Sequence, residues 1–174
     1  MTRPIAVLVG APGAGKSTVG AALAERIGTD FLDTDAEIEA RAGKSVGDIF
    51  IEDGEDAFRA LERSAVADAL ARHPGVLALG GGAVLDEGTR ALLAEHHVVY
   101  LQVEFRDAAK RVGLDQARPL LFGNPRARLQ ALLKERLPVY ESVATVTVAT
   151  SGYHPEEIVD EIVTTLGDRA GQRT

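Results

Sequence analysis

Short, nearly continuous apolar runs alternate along this chain with longer stretches whose apolar residues recur every three or four positions. Runs such as "IAVLVG" (Ile5 to Gly10) and "VVYLQV" (Val98 to Val103) are rich in β-branched residues and have little polar face. That is the pattern of strands buried on both sides of a sheet. The stretch "KSTVGAALAERIG" carries helical spacing and closes on Gly28, a glycine stop. Repeated alternation of the two patterns predicts βαβ units and a parallel sheet.

The other elements follow the same logic. "DFL" reads as a short strand, followed by a helix through Arg41 that breaks at Gly43. Ser45, three residues before Asp48, opens a short helical turn, and a longer helix spans Glu55 to Arg72. "VLALGGG" is a buried strand running into three glycines; "TRALLAEHH" and "RDAAKRVG" are helical. "LDQARPLLFGNP" has no clear period, whereas "RARLQALLKERLPVYESV" is helical up to Pro138. "ATVTVAT" is a strand, and the terminal helix has Pro155 near its first position. The last residues, "AGQRT", are expected to fray. No repeat, low-complexity tract or linker divides the chain, so its 174 residues are read as one domain.

Composition narrows the function. There is no cysteine, which excludes disulfides and thiolate metal sites. A net charge of −7 argues against nonspecific nucleic-acid binding, which needs a basic face. No apolar run reaches the roughly 18–20 residues of a membrane span, and the N-terminus reads as a core strand rather than a secretion signal. Cytoplasmic residence is the economical expectation, and a monomer is the default because no exposed apolar stripe demands a partner. The four histidines lack metal-ligand spacing and are expected at surface ends of elements.

The strongest chemical signal is "GAPGAGKS", Gly10 to Ser17, which fits G-x-x-x-x-G-K-[ST] without deviation. It leaves a buried strand and enters an amphipathic helix, the context a phosphate loop requires. Backbone N–H groups around Gly13, Ala14 and Gly15 can then turn inward to phosphate oxygens at a helix N-terminus. Lys16 is placed for the β- and γ-phosphates, Ser17 for Mg²⁺, and Thr18 is a further first-turn hydroxyl near the α-phosphate.

A phosphate loop alone does not choose between NTPase, switch and kinase. The chain has no long insertion and no N-K-x-D pattern for guanine, and the segment from Arg118 to Pro125 resembles an arginine-bearing lid. In "GEDAFRALE", Arg59 and Glu62 are three apart on one helix face. They make either a surface ion pair or a guanidinium oriented toward a small carboxylate. Gly80 to Gly82 suit a place where a ligand approaches bare backbone at the carboxyl edge of the sheet. In "FLDTDAEIE", Asp33 and Asp35 either start a helix or hold a metal and a substrate. Thr34 to Glu37 fits a capping box with Thr34 as the N-cap.

Taken in order, "GAPGAGKST", "DTD", "GEDAFRALE", "LGGGAV", "RPLL" and "ERLPVYESVA" resemble the shikimate kinases, from about Pro4 to Ile162. These are compact P-loop proteins of the nucleoside-monophosphate-kinase-like group. The resemblance implies a three-layer α/β/α fold with a central sheet of five parallel strands in the order 2-3-1-4-5. It implies one domain with a core over about 4–166, substrate-binding helices over about 34–62 and a lid over about 113–125. The activity implied is transfer of the γ-phosphoryl of MgATP to the 3-hydroxyl of shikimate, a step of aromatic amino-acid biosynthesis. Asp35 would then bind the acceptor hydroxyls, and Arg59 with Arg136 would clamp its carboxylate. Gly80, Gly81 and Gly82 would touch the ring by backbone, and Arg118 would close on the transferring phosphate. Asp33 would hold Mg²⁺ together with Ser17, while Arg111 and Pro155 match the positions that flank adenine. The chain departs from the pattern in "SGYH" before Pro155, where related sequences often carry a basic residue, and in a short lid. Competing readings are another small kinase such as a gluconate kinase, a nucleotide-binding regulator without transfer activity, and a nucleoside monophosphate kinase. Lys16, Asp35, Arg59, Arg118 and Arg136 are all intact, against the expectation for a regulator.

Overall fold

The apolar runs become five parallel strands of one sheet: β1 (Ala6–Val9), β2 (Phe31–Asp33), β3 (Val76–Ala78), β4 (Val98–Gln102) and β5 (Val146–Ala149). In the computed structural model, which describes residues 2–113 and 124–171, they lie in the order β2-β3-β1-β4-β5. Ala6 pairs with Val76 on one side of β1, and Val7 pairs with Val98 on the other. The implied topology is the observed one.

Strand side chains alternate between faces, so each run feeds two cores. Ala6, Leu8, Val76, Val99 and Leu101 pack under α1 (Lys16–Ile27) and α8 (Pro155–Gly171). Val7, Val9, Leu77, Val98 and Tyr100 pack under α4 (Glu55–Arg72), α5 (Glu87–Leu93) and α7 (Pro125–Val143). Beyond the sheet edge, α2 (Thr34–Ala42) and α3 (Val46–Glu52) bury Ile38 and Ile49 against Phe58 and Ala65 of α4. α6 (Phe105–Arg111) packs Ala108 and Ala109 on Leu129 of α7. Among the described residues no helix is long and apolar enough to cross a membrane.

The structure departs from the expected elements in four places. α7 does not stop at Pro138 but runs on to Val143. Proline in a helix interior removes one backbone donor and costs about 3 kcal/mol or more. The last turn persists because it carries Tyr140, 1% exposed and anchored to the Gly81 carbonyl. The helix N-cap after β2 is Asp33 and not Thr34. Ala83 to Leu85, given no element from the sequence, forms a 3-10 turn. His97 is buried rather than at the surface, with Nε2 3.4 Å from the Thr165 hydroxyl.

Candidate active site

In a sheet of this order, β1 is the point where the chain switches direction, and ligands gather at the carboxyl edge there. β1 leads into the phosphate loop, whose last residue, Gly15, caps α1 at φ 89°. Gly13 sits at φ 82°, and a Cβ on it would stand 2.8 Å from the Ala108 carbonyl oxygen. Only glycine therefore lets α6 close against the loop. Arg111, at the end of α6, donates to the Gly13 carbonyl at 2.9 Å. The side chain expected beside adenine thus grips the phosphate loop itself.

Lys16 lies back over the loop, its Nζ donating to the carbonyls of Gly10 at 2.6 Å and Ala11 at 3.1 Å. Burial lowers its pKa to about 8; the carboxylates of Asp35 and Asp33 oppose that shift, and the Arg136 guanidinium adds to it. An ammonium held in this way gains from any anion that enters the loop.

Asp33 ends β2 and uses both carboxylate oxygens. Oδ1 accepts from the Asp35 amide at 2.9 Å, capping α2, and Oδ2 accepts from the Ser17 hydroxyl at 2.8 Å. Thr34 is wholly buried, and its hydroxyl accepts from the Gly80 amide at 3.2 Å. That bond ties the start of α2 to the end of β3, so the capping threonine of the local pattern is instead a tertiary tie. Glu37 pairs with Arg41 at 3.0 Å rather than reaching back to a cap.

The Ser17 hydroxyl and Asp33 carboxylate place two hard oxygen donors side by side at the phosphate loop. Among the described residues no cluster of three or more acidic or histidine side chains could cage a metal alone. Mg²⁺ is commonly held by one or two protein oxygens, with phosphate oxygens and water completing the shell. The donor set fits such an ion.

Asp35, in the first turn of α2, points its Oδ1 toward Gly80, where a Cβ would stand only 2.7 Å away. That oxygen is buried and has no hydrogen-bond partner among the described residues. Burial raises the Asp35 pKa to about 6, the charges of Asp33 and Glu62 add to the rise, and Lys16 opposes it. An unpartnered buried acceptor beside a phosphate loop is what a substrate hydroxyl would satisfy.

The three-residue spacing of Arg59 and Glu62 becomes a close ion pair in the fold. The guanidinium meets the Glu62 carboxylate at 2.6 Å, and the Glu62 side chain is only 5% exposed. Glu62 is buried and Arg59 partly so, which sets the pair apart from an exposed surface pair; the Glu55 contact, at 3.7 Å, is peripheral. Arg59 also lies over the Phe58 ring at 5.3 Å, which limits its rotamers. A Cβ on Gly82 would stand 2.6 Å from both terminal nitrogens of Arg59. The third glycine therefore makes room for a side chain as well as leaving its backbone bare.

Lys16, Ser17, Asp33, Asp35, Gly80 and Gly81 line one cavity of about 410 Å³, with Arg111 at its rim. Arg136 approaches from α7: its Nη1 is 3.5 Å from the place a Cβ on Gly81 would take. A phosphate loop, a carboxylate with a free acceptor and two guanidinium groups thus converge at the switch point. A family model described as shikimate kinase matches residues 12–167.

The chain belongs to the shikimate kinase family. A shikimate kinase of Thermobifida fusca is 72% identical over 165 residues, which cover 95% of this chain and 96% of the relative. The solved shikimate kinase from Acinetobacter baumannii, in complex with shikimate, matches with a TM-score of 0.88 at 36% identity. That match covers 97% of this chain and 95% of the other. A gluconokinase from Sinorhizobium meliloti matches at 23% identity with a TM-score of 0.58, over 96% of this chain and 93% of its own, which shows a common fold only. Membership of the shikimate kinase family makes the chain an ATP-dependent kinase.

Among the sequence-derived site residues, Ala14, Arg59, Gly82 and Arg136 are not part of that cavity's lining. Arg118 lies outside the described residues. Pro155 opens α8 beyond β5, exposed, and does not line the cavity. Pro12 and Leu79 line the cavity without having been named from the sequence, and Thr34, expected only as a helix cap, joins the site through its bond to Gly80. Thr34 sits between the two aspartates, and its β-branched hydroxyl at a strand end was the available signal.

Proposed function

We propose that this chain transfers the γ-phosphoryl group of MgATP to the 3-hydroxyl of shikimate, giving shikimate 3-phosphate and ADP. The observation that carries the reading is Asp35 Oδ1, buried and unpartnered, facing the cavity that Lys16 shares. The acceptor oxygen attacks the γ-phosphorus, the bond to the β,γ-bridging oxygen breaks, and ADP leaves. The hydroxyl proton passes to the Asp35 carboxylate, late if the transition state is loose. Lys16 moves from the loop carbonyls to the β- and γ-phosphates and offsets charge on their oxygens. Ser17 and Asp33 would hold Mg²⁺, which supplies further neutralisation of those phosphates. Backbone amides of Gly13, Ala14 and Gly15, with Thr18, hold the remaining phosphate oxygens.

On the acceptor side, Arg59 and Arg136 clamp the carboxylate and the backbone of Gly80 to Gly82 meets the ring. Arg118 closes on the transferring phosphate from the lid, and Arg111 and Pro155 flank adenine. The whole chain acts as one kinase domain, core about 4–166, with acceptor helices about 34–62 and a lid about 113–125. A cytoplasmic monomer is the expected form.

A coupled ADP-release assay offering shikimate and gluconate side by side tests this reading. Turnover that depends on shikimate supports it. Turnover with gluconate alone would move the chain to the rival acid, and ATP binding without either would leave a nucleotide-binding regulator. Arg59→Ala should raise the shikimate KM about 10- to 100-fold, the worth of charge-assisted hydrogen bonds. Its effect on the ATP KM should be mild. The variant should also melt lower, because Glu62 loses its partner while still buried. An unchanged shikimate KM would return Arg59 to a purely structural role.

A further inference from the structure

Tyr140 is the largest fully buried side chain of the described residues, and the mechanism above leaves it unused. Its hydroxyl donates to the Gly81 carbonyl at 2.6 Å, inside the glycine run that faces the acceptor. Its ring packs on Tyr100 of β4, with centroids 5.1 Å apart and planes at 33°. It lies one helical turn beyond Arg136 on α7, so both side chains share a helix face. Burial raises the Tyr140 pKa, and the Arg136 guanidinium lies close enough to oppose that rise. The central sheet, the triple glycine and the carboxylate-clamping helix therefore meet at one phenolic oxygen.

Any buried hydroxyl needs a partner, and many backbone carbonyls would serve. What sets this one apart is the carbonyl it takes. Three successive glycines leave the backbone unusually free, and peptide orientation there is not fixed by side chains. In a planar trans peptide the C=O and N–H point opposite ways. Holding the Gly81 carbonyl toward Tyr140 therefore turns the Gly82 N–H away from it. Among the described residues, neither the Gly81 nor the Gly82 amide donates to a protein acceptor. Gly82 is buried, with the Arg59 guanidinium directly against it.

We propose that Tyr140 is a positioning residue for the acceptor: its hydroxyl fixes the Gly81–Gly82 peptide and steadies Arg136, one turn earlier, over the same pocket. This rests on the acceptor assigned above. Tyr140→Phe keeps the ring, its packing on Tyr100 and the helix, and removes one hydrogen bond. The shikimate KM should rise about 3- to 10-fold, the range of one buried hydrogen bond, while the ATP KM stays within twofold. Tyr100→Phe, on the other ring of the pair, should leave the shikimate KM unchanged. A lower melting temperature with a shikimate KM within twofold of wild type would make Tyr140 merely structural and overturn the proposal.

A second readout avoids the variant altogether. The chain has three tyrosines, so 3-fluorotyrosine labelling gives a fluorine spectrum of three signals. Saturating shikimate should move the Tyr140 signal and not that of exposed Tyr153. A Tyr140 signal blind to shikimate, in protein that turns shikimate over, overturns the positioning role alone. Wild-type protein that leaves shikimate untouched overturns the acceptor reading and this one with it.

Discussion

Replacing Asp35 by asparagine removes most of the turnover, on the order of 10²- to 10⁴-fold in kcat, the usual contribution of a positioned acid–base group. Asparagine keeps the size and one acceptor but cannot take a proton, and it brings an NH₂ to a position that faces Gly80 and Glu62. The loss will not come from misfolding, and the sign of the ionisation shows why. The folded pKa of Asp35 is raised from 3.8 to about 6, chiefly by burial. The folded chain thus binds this proton more tightly than the unfolded chain. The stability that proton gives is fully present below about 3.8 and is lost as pH rises through about 6. Above pH 6 the native state carries an unfavourable charge that asparagine lacks. The variant should therefore melt at or above the wild-type temperature at pH 8 while being nearly inactive. In protein free of nucleotide and metal, the Asp35 carboxyl carbon should titrate by NMR near pH 6. Near-normal turnover would remove Asp35 from the mechanism, and a melting temperature well below wild type would overturn the account of its raised pKa.

Much of the architecture was legible because buried parallel strands announce themselves as unbroken β-branched runs, and the phosphate loop because its chemistry is local. Strand order was different: pairing is nonlocal, and only the resemblance carried it. The misread helix cap shows the same division. Asp33 and Thr34 are both good N-caps by type. What decided between them was the Gly80 amide, 46 residues away, which captured the Thr34 hydroxyl. Pro138 has the local cost of a helix stop, yet the Tyr140 anchor on the Gly81 carbonyl holds the helix beyond it. Arg59 and Glu62 have the spacing of an ordinary surface pair, and nothing in nine residues of sequence reveals that Glu62 is buried. By sequence the triple glycine makes room for a ligand. Its added task, clearing space for Asp35 and Arg59, depends on which side chains the folded helices bring over it.

The same coupling of distant groups makes Lys16→Met the sharpest test of the electrostatic scheme. Methionine keeps an unbranched stem of similar length in the first turn of α1, so packing is little disturbed. The ammonium that offsets phosphate charge is gone, and the rate should fall by roughly 10³-fold or more, by analogy with cationic groups on a transferring phosphoryl. ATP affinity should fall with it, because the loop retains only its amides and the Ser17 and Thr18 hydroxyls. A second effect separates this scheme from simple loss of binding. Lys16 is the nearby positive charge that holds the Asp35 pKa down, against burial and the charges of Asp33 and Glu62. Removing it should move the Asp35 titration midpoint above that of the wild type, measured in the same nucleotide- and metal-free protein. The Gly10 and Ala11 carbonyls, which now accept from Lys16 at 2.6 and 3.1 Å, would also lose their donor. The loop should then exchange its amides faster. An unmoved Asp35 midpoint would mean that the two groups do not share one electrostatic site, and a wild-type rate would take Lys16 out of the phosphate pocket.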